Sequence, residues 1–296
     1  LADHEVFVGV SIGIAISPEA GNSVEQIIQN ADVAMYHVKS RGKDGYQFFS
    51  EKMSVVDSER LNLERDIRHA LERDEFKVYY QPQISAKSGE IIGVEALVRW
   101  LHPSRGLVYP GDFIPLAEET GLVAELTQAV MTTACQDLAE HKEALKGISI
   151  SINISSRNVV SYRFPEQLLT HTEEFGIDPN QINLELTETA VMKELTSYLD
   201  ILNRLRMKGF SLSIDDFGTG YSSLSTLYQA PFTELKIDLH FVMRMIQDNE
   251  AMVIVEICIM LGKMLGMKVV AEGAENQTIL DRLTAMGCDI AQGYGI

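Results

Sequence analysis

From about residue 77 onward, short runs rich in β-branched and aromatic residues alternate with segments whose apolar positions recur every three to four residues. The short runs read as strands near 77–81, 91–99, 148–154, 182–187, 210–215, 234–238, 267–272 and 288–292. The periodic segments predict helices near 122–145, 164–175, 190–208, 239–265 and 276–286. Strand followed by helix at this spacing predicts βα units, and eight strands predict an α/β fold of the TIM-like (β/α)8 barrel type. Only about nine residues separate the first two strands, too few for the helical crossover that parallel strands require. The first strand is therefore expected to be antiparallel, turning at Ser88-Gly89. The chain stops soon after the eighth strand, so a closing C-terminal helix is expected to be missing.

The front of the chain has a different pattern. Residues 6–16 alternate like a strand and stop at Pro18, and Ser23 with Gln26 three residues later reads as a capping box. Val24, Ile27, Ile28, Ala31, Met35 and Val38 then recur at helical spacing, Gly42 supplies a stop, and residues 46–49 read as a second strand. Some 50 residues of this kind cannot bury a core alone, so they read as the α+β tail of another domain. A charged helix near 53–73 joins the pieces, giving a fragment at 1–50, a linker at 51–74 and a barrel at 75–296.

Composition narrows the function. The 25 Lys and Arg against 42 Asp and Glu give a net charge of −17, which opposes long nucleic acids and requires local cations for any small anion. Cys135, Cys258 and Cys288 form no CxxC pair, so neither a zinc knuckle nor a disulfide framework is expected, and a reduced, cytoplasmic setting is. The apolar stretch 252–270 is interrupted by Glu256, Lys263 and Lys268 and reads as a buried helix running into a strand, not a membrane span. No signal sequence opens the chain and its first residue is Leu, so it is expected to be cut from a longer protein, whose front is free to carry a membrane anchor.

The candidate chemistry lies at the strand ends. Glu95, Asn153, Glu185 with Glu188, Asp215 with Asp216, Asp238 after Lys236, and Glu272 recur there, as a ring of oxygen ligands at one barrel mouth requires. On the second strand, period 2 puts Glu95, Leu97 and Arg99 on one face. Glu95 reads as a metal ligand and Arg99 as a phosphate clamp, against a purely structural Glu95–Arg99 ion pair. Asn153 is a turn former or a ligand; Glu188 favours a helix N-terminus or supports the site from behind. Asp215-Asp216-Phe217-Gly218-Thr219-Gly220 is the most specific segment. Neighbouring strand residues face opposite ways, so both aspartates reach one site only if the backbone turns there, and two adjacent carboxylates call for a cation between them. A metal pair resolves this, with Asp215 bridging and Asp216 on the second ion. Lys236 either pairs with Asp238 or orients a water nucleophile. The seven histidines show no metal-binding spacing.

Gln81-Pro, Glu95-Ala-Leu with Arg99-Trp, Asn153, Glu185-Leu-Thr-Glu188, the Asp215-Asp-Phe-Gly-Thr-Gly-Tyr-Ser-Ser-Leu loop, Lys236-Ile-Asp238, Ala271-Glu-Gly-Ala-Glu275 and Gln292-Gly-Tyr together resemble the EAL-domain cyclic di-GMP phosphodiesterases, over about residues 60–296. Residues 1–50 resemble the end of a GGDEF diguanylate cyclase domain through Ser11-Ile-Gly, Ala31-Asp-Val-Ala-Met-Tyr and Lys39-Ser-Arg-Gly, without the GGDEF-type signature. The resemblance implies two Mg²⁺ or Mn²⁺ ions, one on Glu95, Asn153, Glu185 and Asp215, the other on Asp215 and Asp216 with Glu272 helping through water. A water between metals about 4 Å apart, positioned by Lys236, attacks a phosphodiester in line and gives linear pGpG. Gln81, Arg99 and Asp238 are implied as substrate contacts, with Gln292 completing the water network. Glu188 secures the loop of Gly218 and Gly220, and Glu275 supports the seventh-strand turn. Ala274 stands where the family more often has Val.

The rival reading is a module that captures cyclic di-GMP without cleaving it, and a third is an unrelated metal-dependent barrel enzyme of the aldolase type. A homodimer through the barrel, and regulation by GTP bound to the missing cyclase-like half, are further expectations.

Overall fold

The computed structural model describes residues 9–40, 44–220 and 224–296. The sequence-predicted positions 6–8, Arg41-Gly42 and 221–223 lie outside the described residues. Two compact units divide the chain, Leu1–His69 and Ala70–Ile296.

In the first unit β1 (Ser11–Ile14) pairs in parallel with β2 (Gly45–Phe48), and α1 (Val24–Ser40) is the crossover between them. The capping box is half made: Ser23 Oγ accepts from Gln26 N at 3.2 Å, but Gln26 Oε1 accepts from Asn22 N instead of closing on Ser23. Val24 and Ile28 of the apolar repeat are exposed. The charged helix α2 covers Glu51–Glu72.

The second unit is an eight-stranded closed barrel. Its strands are β3 (Phe76–Ser85), β4 (Ile91–His102), β6 (Ser149–Asn153), β7 (Ile182–Thr187), β8 (Ser211–Phe217), β9 (Glu234–Ile237), β10 (Lys268–Glu272) and β11 (Ile290–Gln292). A short β5 (Gly106–Val108) extends the sheet beside β4. Around the ring every pairing is parallel except those of β3, which runs antiparallel to both β4 and β11. Gly89, at φ +73°, lies in the turn that reverses the chain between β3 and β4.

Strand alternation divides the residues between two faces. Ile150, Ile152, Leu184, Leu186, Leu212, Ile214, Leu235, Ile237, Val269 and Ala271 are at most 1% exposed and belong to the hydrophobic core against the helices. The residues between them, Ser151, Asn183, Glu185, Ser213, Asp215, Glu234 and Lys236, are buried and polar. A barrel interior is ordinarily filled by branched apolar side chains. This one carries charge.

The helices are α3 (Pro110–Thr120), α4 (Val123–Glu140), α5 (Phe164–Glu174), α6 (Glu188–Met207), α7 (Leu224–Gln229), α8 (Leu239–Arg244), α9 (Asn249–Met264) and α10 (Gln277–Met286). The single helix expected over 239–265 is two, because Asp248 Oδ1 caps a fresh start by accepting from Glu250 N and Ala251 N. The helix expected to reach residue 145 ends at Glu140. Helix α3 escaped the sequence reading because Pro110-Gly111 at its start and Pro115 within it are turn and breaker residues.

Candidate active site and metal centre

The expectation that Gln81 and Glu95 end their strands is corrected by the register. Gln81 pairs with Glu95 in mid-strand, β3 runs on to Ser85 and β4 to His102. An antiparallel first strand presents its beginning, not its end, to the mouth formed by the other strands' carboxyl ends. Both residues still face inward at the level of the other acids.

Lys236 on β9 is the centre of the cluster. Its ammonium lies 2.7 Å from Glu272 Oε1, 2.8 Å from Glu185 Oε2, 3.2 Å from Asp215 Oδ1 and 3.3 Å from Glu95 Oε2, and its side chain is 1% exposed. Five strands thus bring five charges to one point. The expected alternative, a Lys236–Asp238 pair, does not form: Asp238 caps α8 by accepting from His240 N at 2.8 Å, with His240 Nδ1 also 2.8 Å away. A Glu95–Arg99 pair does not form either. Glu95 instead accepts from Asn153 Nδ2 at 2.7 Å and from Gln292 Nε2 at 2.6 Å. Gln292 Nε2 donates in turn to Gln81 Oε1 at 3.0 Å.

Asp216 has φ +55°, and the pairing of β8 with β9 slips between Ile214 and Phe217. This is the backbone turn that two neighbouring aspartates need to share a site. Asp215, Asp216 and Glu272 each offer an oxygen to a group whose oxygens lie within 4.8 Å of one another. Behind the turn, Glu188 Oε2 accepts from Gly218 N at 2.9 Å and from Gly220 N at 3.2 Å. Gly218 has φ +102°, which favours glycine, and a Cβ on Gly220 would stand 2.7 Å from Glu188 Oε1, so a side chain there would displace that carboxylate. Arg99 stands farther along β4, and Glu275 is exposed beyond β10.

Burial and charge set the protonation. Burial pulls the Glu95 carboxyl up, but Lys236, Gln292 and Asn153 together hold it below its ordinary value. Burial pushes Glu185 well above the carboxylate range despite Lys236, and Glu95 and Asp215 add repulsion. Burial, then repulsion from Asp215 and Asp238, pushes Asp216 up to about 6. Burial also takes Glu272 to about 7 against the pull of Lys236. Lys236 is raised well above its ordinary value: burial opposes its charge, and Glu185, Glu95, Asp215 and Glu272 outweigh that.

Four acidic side chains surround one ammonium, and the upward shifts of Glu185 and Glu272 show that their joint ionisation is unfavourable in this buried space. The donor set is all oxygen, and among the described residues Glu185 Oε1 is buried with no hydrogen-bond partner. Hard divalent cations suit both features, and the residues present fit them.

The sequence reading missed a deeper layer. Gln83 Nε2 donates to Gln292 Oε1 at 2.9 Å, in space left by Gly93, whose Cβ would lie 2.7 Å from Gln83 Oε1. Below the acids, Asn183 Nδ2 donates to Ser151 Oγ at 3.0 Å and to Glu234 Oε1 at 2.7 Å. Each of these residues lies two positions before or after a predicted site residue on the same strand, and period 2 was the signal available to find them.

The EAL domain family matches residues 64–296, and the diguanylate cyclase GGDEF domain family matches residues 1–45. The chain is similar to the bifunctional diguanylate cyclase/cyclic di-GMP phosphodiesterase MucR of Pseudomonas aeruginosa, 39% identical over 295 residues, 99% of this chain and 43% of that protein. It is also similar to the cyclic di-GMP phosphodiesterase NbdA of the same organism, 36% identical over 285 residues, 96% of this chain and 36% of that protein. The chain therefore spans about two fifths of the length of these relatives. Among solved structures, the PaMucR phosphodiesterase in complex with c-di-GMP superposes with a TM-score of 0.75 at 38% identity, covering 79% of this chain and 95% of that one. The EAL enzyme Bd1971, bound to cAMP and cyclic di-GMP, gives 0.77 at 32% identity, covering 93% and 72%. The FimX EAL domain of Pseudomonas aeruginosa, at 23% identity and 0.72, shares the fold. With the family match reaching from residue 64 to the last residue given, this chain belongs to the EAL domain family.

Proposed function

We propose that the barrel hydrolyses cyclic di-GMP to linear pGpG with two divalent cations, Mg²⁺ or Mn²⁺. The observation that carries this reading is the convergence of Glu95, Glu185, Asp215 and Glu272 on Lys236, with the turn at Asp216 adding a further carboxylate. Similarity to relatives named as cyclic di-GMP phosphodiesterases supports the substrate.

Glu95, Asn153, Glu185, Asp215 and Asp216 would hold the ions, with Glu272 beside them. Bound there, the cations supply Lewis acidity and water activation. The remaining work falls to the chain's own groups. Lys236 keeps its proton, offsets the charge of the carboxylates, and would donate to an oxygen placed among them. Arg99 and Gln81 orient the dinucleotide from the β3–β4 side, with Asp238 at the opposite rim. Gln292 holds Glu95 in place, Glu188 fixes the glycine loop, and Glu275 supports the turn after β10.

Incubation with cyclic di-GMP and Mn²⁺, with an EDTA control, tests the reading. Asp215→Asn should lower turnover by roughly a hundredfold or more with the fold intact. Tight binding with no pGpG formed would favour a receptor instead.

Two further features belong to the same proposal: a homodimer through the barrel, and control by GTP on the cyclase-like half of a longer parent acting in the cytoplasm. A monomer at micromolar concentration by sedimentation would remove the first. A full-length hydrolysis rate indifferent to GTP would remove the second. Among the described residues no helix is long and apolar enough to cross a membrane.

A further inference from the structure

Arg99 lies four residues beyond Glu95 on the same face of β4, its Cα about 13 Å farther along the strand. Among the described residues its guanidinium makes no ion pair with the acids of the cluster. Its hydrogen bond runs from Nη1 to the carbonyl of Val98 at 2.9 Å, and its Cζ lies over the ring of Tyr109, 5.6 Å from the centroid. That is within reach of a cation–π attraction.

Tyr109 is suited to the task by its backbone. Val108 before it is paired with Trp100 in the β4–β5 ladder, and Pro110 after it opens α3. Its own carbonyl accepts from Asp112 N at 3.0 Å, and it sits at φ −89° and ψ 155° as the residue capping the helix, with no side-chain capping bond. The main chain is fixed on both sides, so the ring has two torsions left to settle. The residue is nonetheless 57% exposed, which burial in a core does not explain.

We propose that Tyr109 is a positioning residue for Arg99: its ring face holds the guanidinium plane, leaving the fork's remaining donors directed at a phosphate of the dinucleotide. An unsupported arginine would lose its rotamer freedom on meeting the phosphate; one already laid on an aromatic face has lost much of it beforehand. The effect is on substrate capture and not on the bond-breaking step. The inference deepens the hydrolase reading and rests on it.

The test is a double-mutant cycle on the whole chain, comparing wild type, Y109A, R99A and the double variant, with Y109F as the conservative replacement. Y109A should raise KM for cyclic di-GMP by roughly three- to thirtyfold with a much smaller change in kcat. Y109F, which keeps the aromatic face, should restore KM. In the R99A background the further step to Y109A should have no effect, because the group being positioned is gone. An unchanged KM in Y109A overturns the proposal, as does an equal loss in the R99A background, which would place the tyrosine directly on the ligand. Matched melting curves separate these outcomes from misfolding. Should wild type bind the dinucleotide without cleaving it, the hydrolase reading falls while the same cycle, read on Kd, still decides the Tyr109–Arg99 pair. Wild type that neither binds nor cleaves overturns both.

Discussion

Lys236 Nζ lies 2.8 Å from Glu185 Oε2, and neither side chain reaches solvent. An ammonium in such a place is costly to bury and more costly to remove, because its partners then stay behind uncompensated. Lys236→Met should destabilise the barrel by about 3–5 kcal/mol in EDTA. Added Mn²⁺ should restore much of that, since a dication replaces the missing positive charge. Urea melts with and without the metal check this; equal stability of the variant and wild type in EDTA would show that the lysine does not neutralise the cluster.

Among the described residues, Glu188 Oε2 accepts two backbone amides of the glycine loop. Glu188→Gln weakens charge-assisted bonds worth about 1.5–3 kcal/mol. Faster hydrogen exchange at the Gly218 and Gly220 amides is expected, with kcat lowered roughly tenfold. Exchange rates identical to wild type would mean that the loop holds itself.

Glu234 offers a pH signature. Burial raises its carboxyl above the ordinary value, more than the nearby Lys236, Ser213 and Asn183 lower it. A raised native pKa means that the folded chain binds the proton more tightly than the unfolded one. The stabilising contribution is therefore whole below the unfolded value of about 4.3 and is lost as pH rises through the native value. Among the described residues Asn183 Oδ1 is buried without a partner, and a glutamine amide can donate to it. Glu234→Gln should thus stabilise the protein by on the order of 1 kcal/mol at neutral pH, with the gain shrinking toward about pH 4. Urea midpoints across that range measure it, and a gain independent of pH would contradict the assignment.

Gly293 follows Gln292 where the chain passes close to the turn after β10. A Cβ there would stand 2.5 Å from both Ala274 N and Ala274 O. Gly293→Ala should cost about 1–3 kcal/mol and, by shifting Gln292 away from Glu95, raise KM. Gly111, near the start of α3, has open space around its Cβ position and makes a suitable control. Gly111→Ala should be neutral or stabilising by about 0.4–1 kcal/mol. Equal melting temperatures for the two variants would refute the packing argument.

Much of this arrangement was readable from residue order. Alternation separated the polar inward set, Glu185, Asp215 and Lys236, from the apolar set that faces the helices, because a strand has a period of two whatever it packs against. The short gap before β4 required an antiparallel start, since no helical crossover fits there. Helix α3 and the short β5 were not readable: Pro110, Gly111 and Pro115 carry breaker propensity, which the surrounding packing overrides.

The sequence by itself determined which residues carry charge, which strand face each occupies, and that Asp215 and Asp216 need a turn to act together. Partnership was decided only in three dimensions. Lys236 has Asp238 two residues away, yet its ammonium meets Glu95, 141 positions earlier, and Glu185, 51 positions earlier. The reason is physical: period 2 gives a side chain its direction, but only closure of the barrel sets the register between strands. That register decides which charges share one buried volume and neutralise one another.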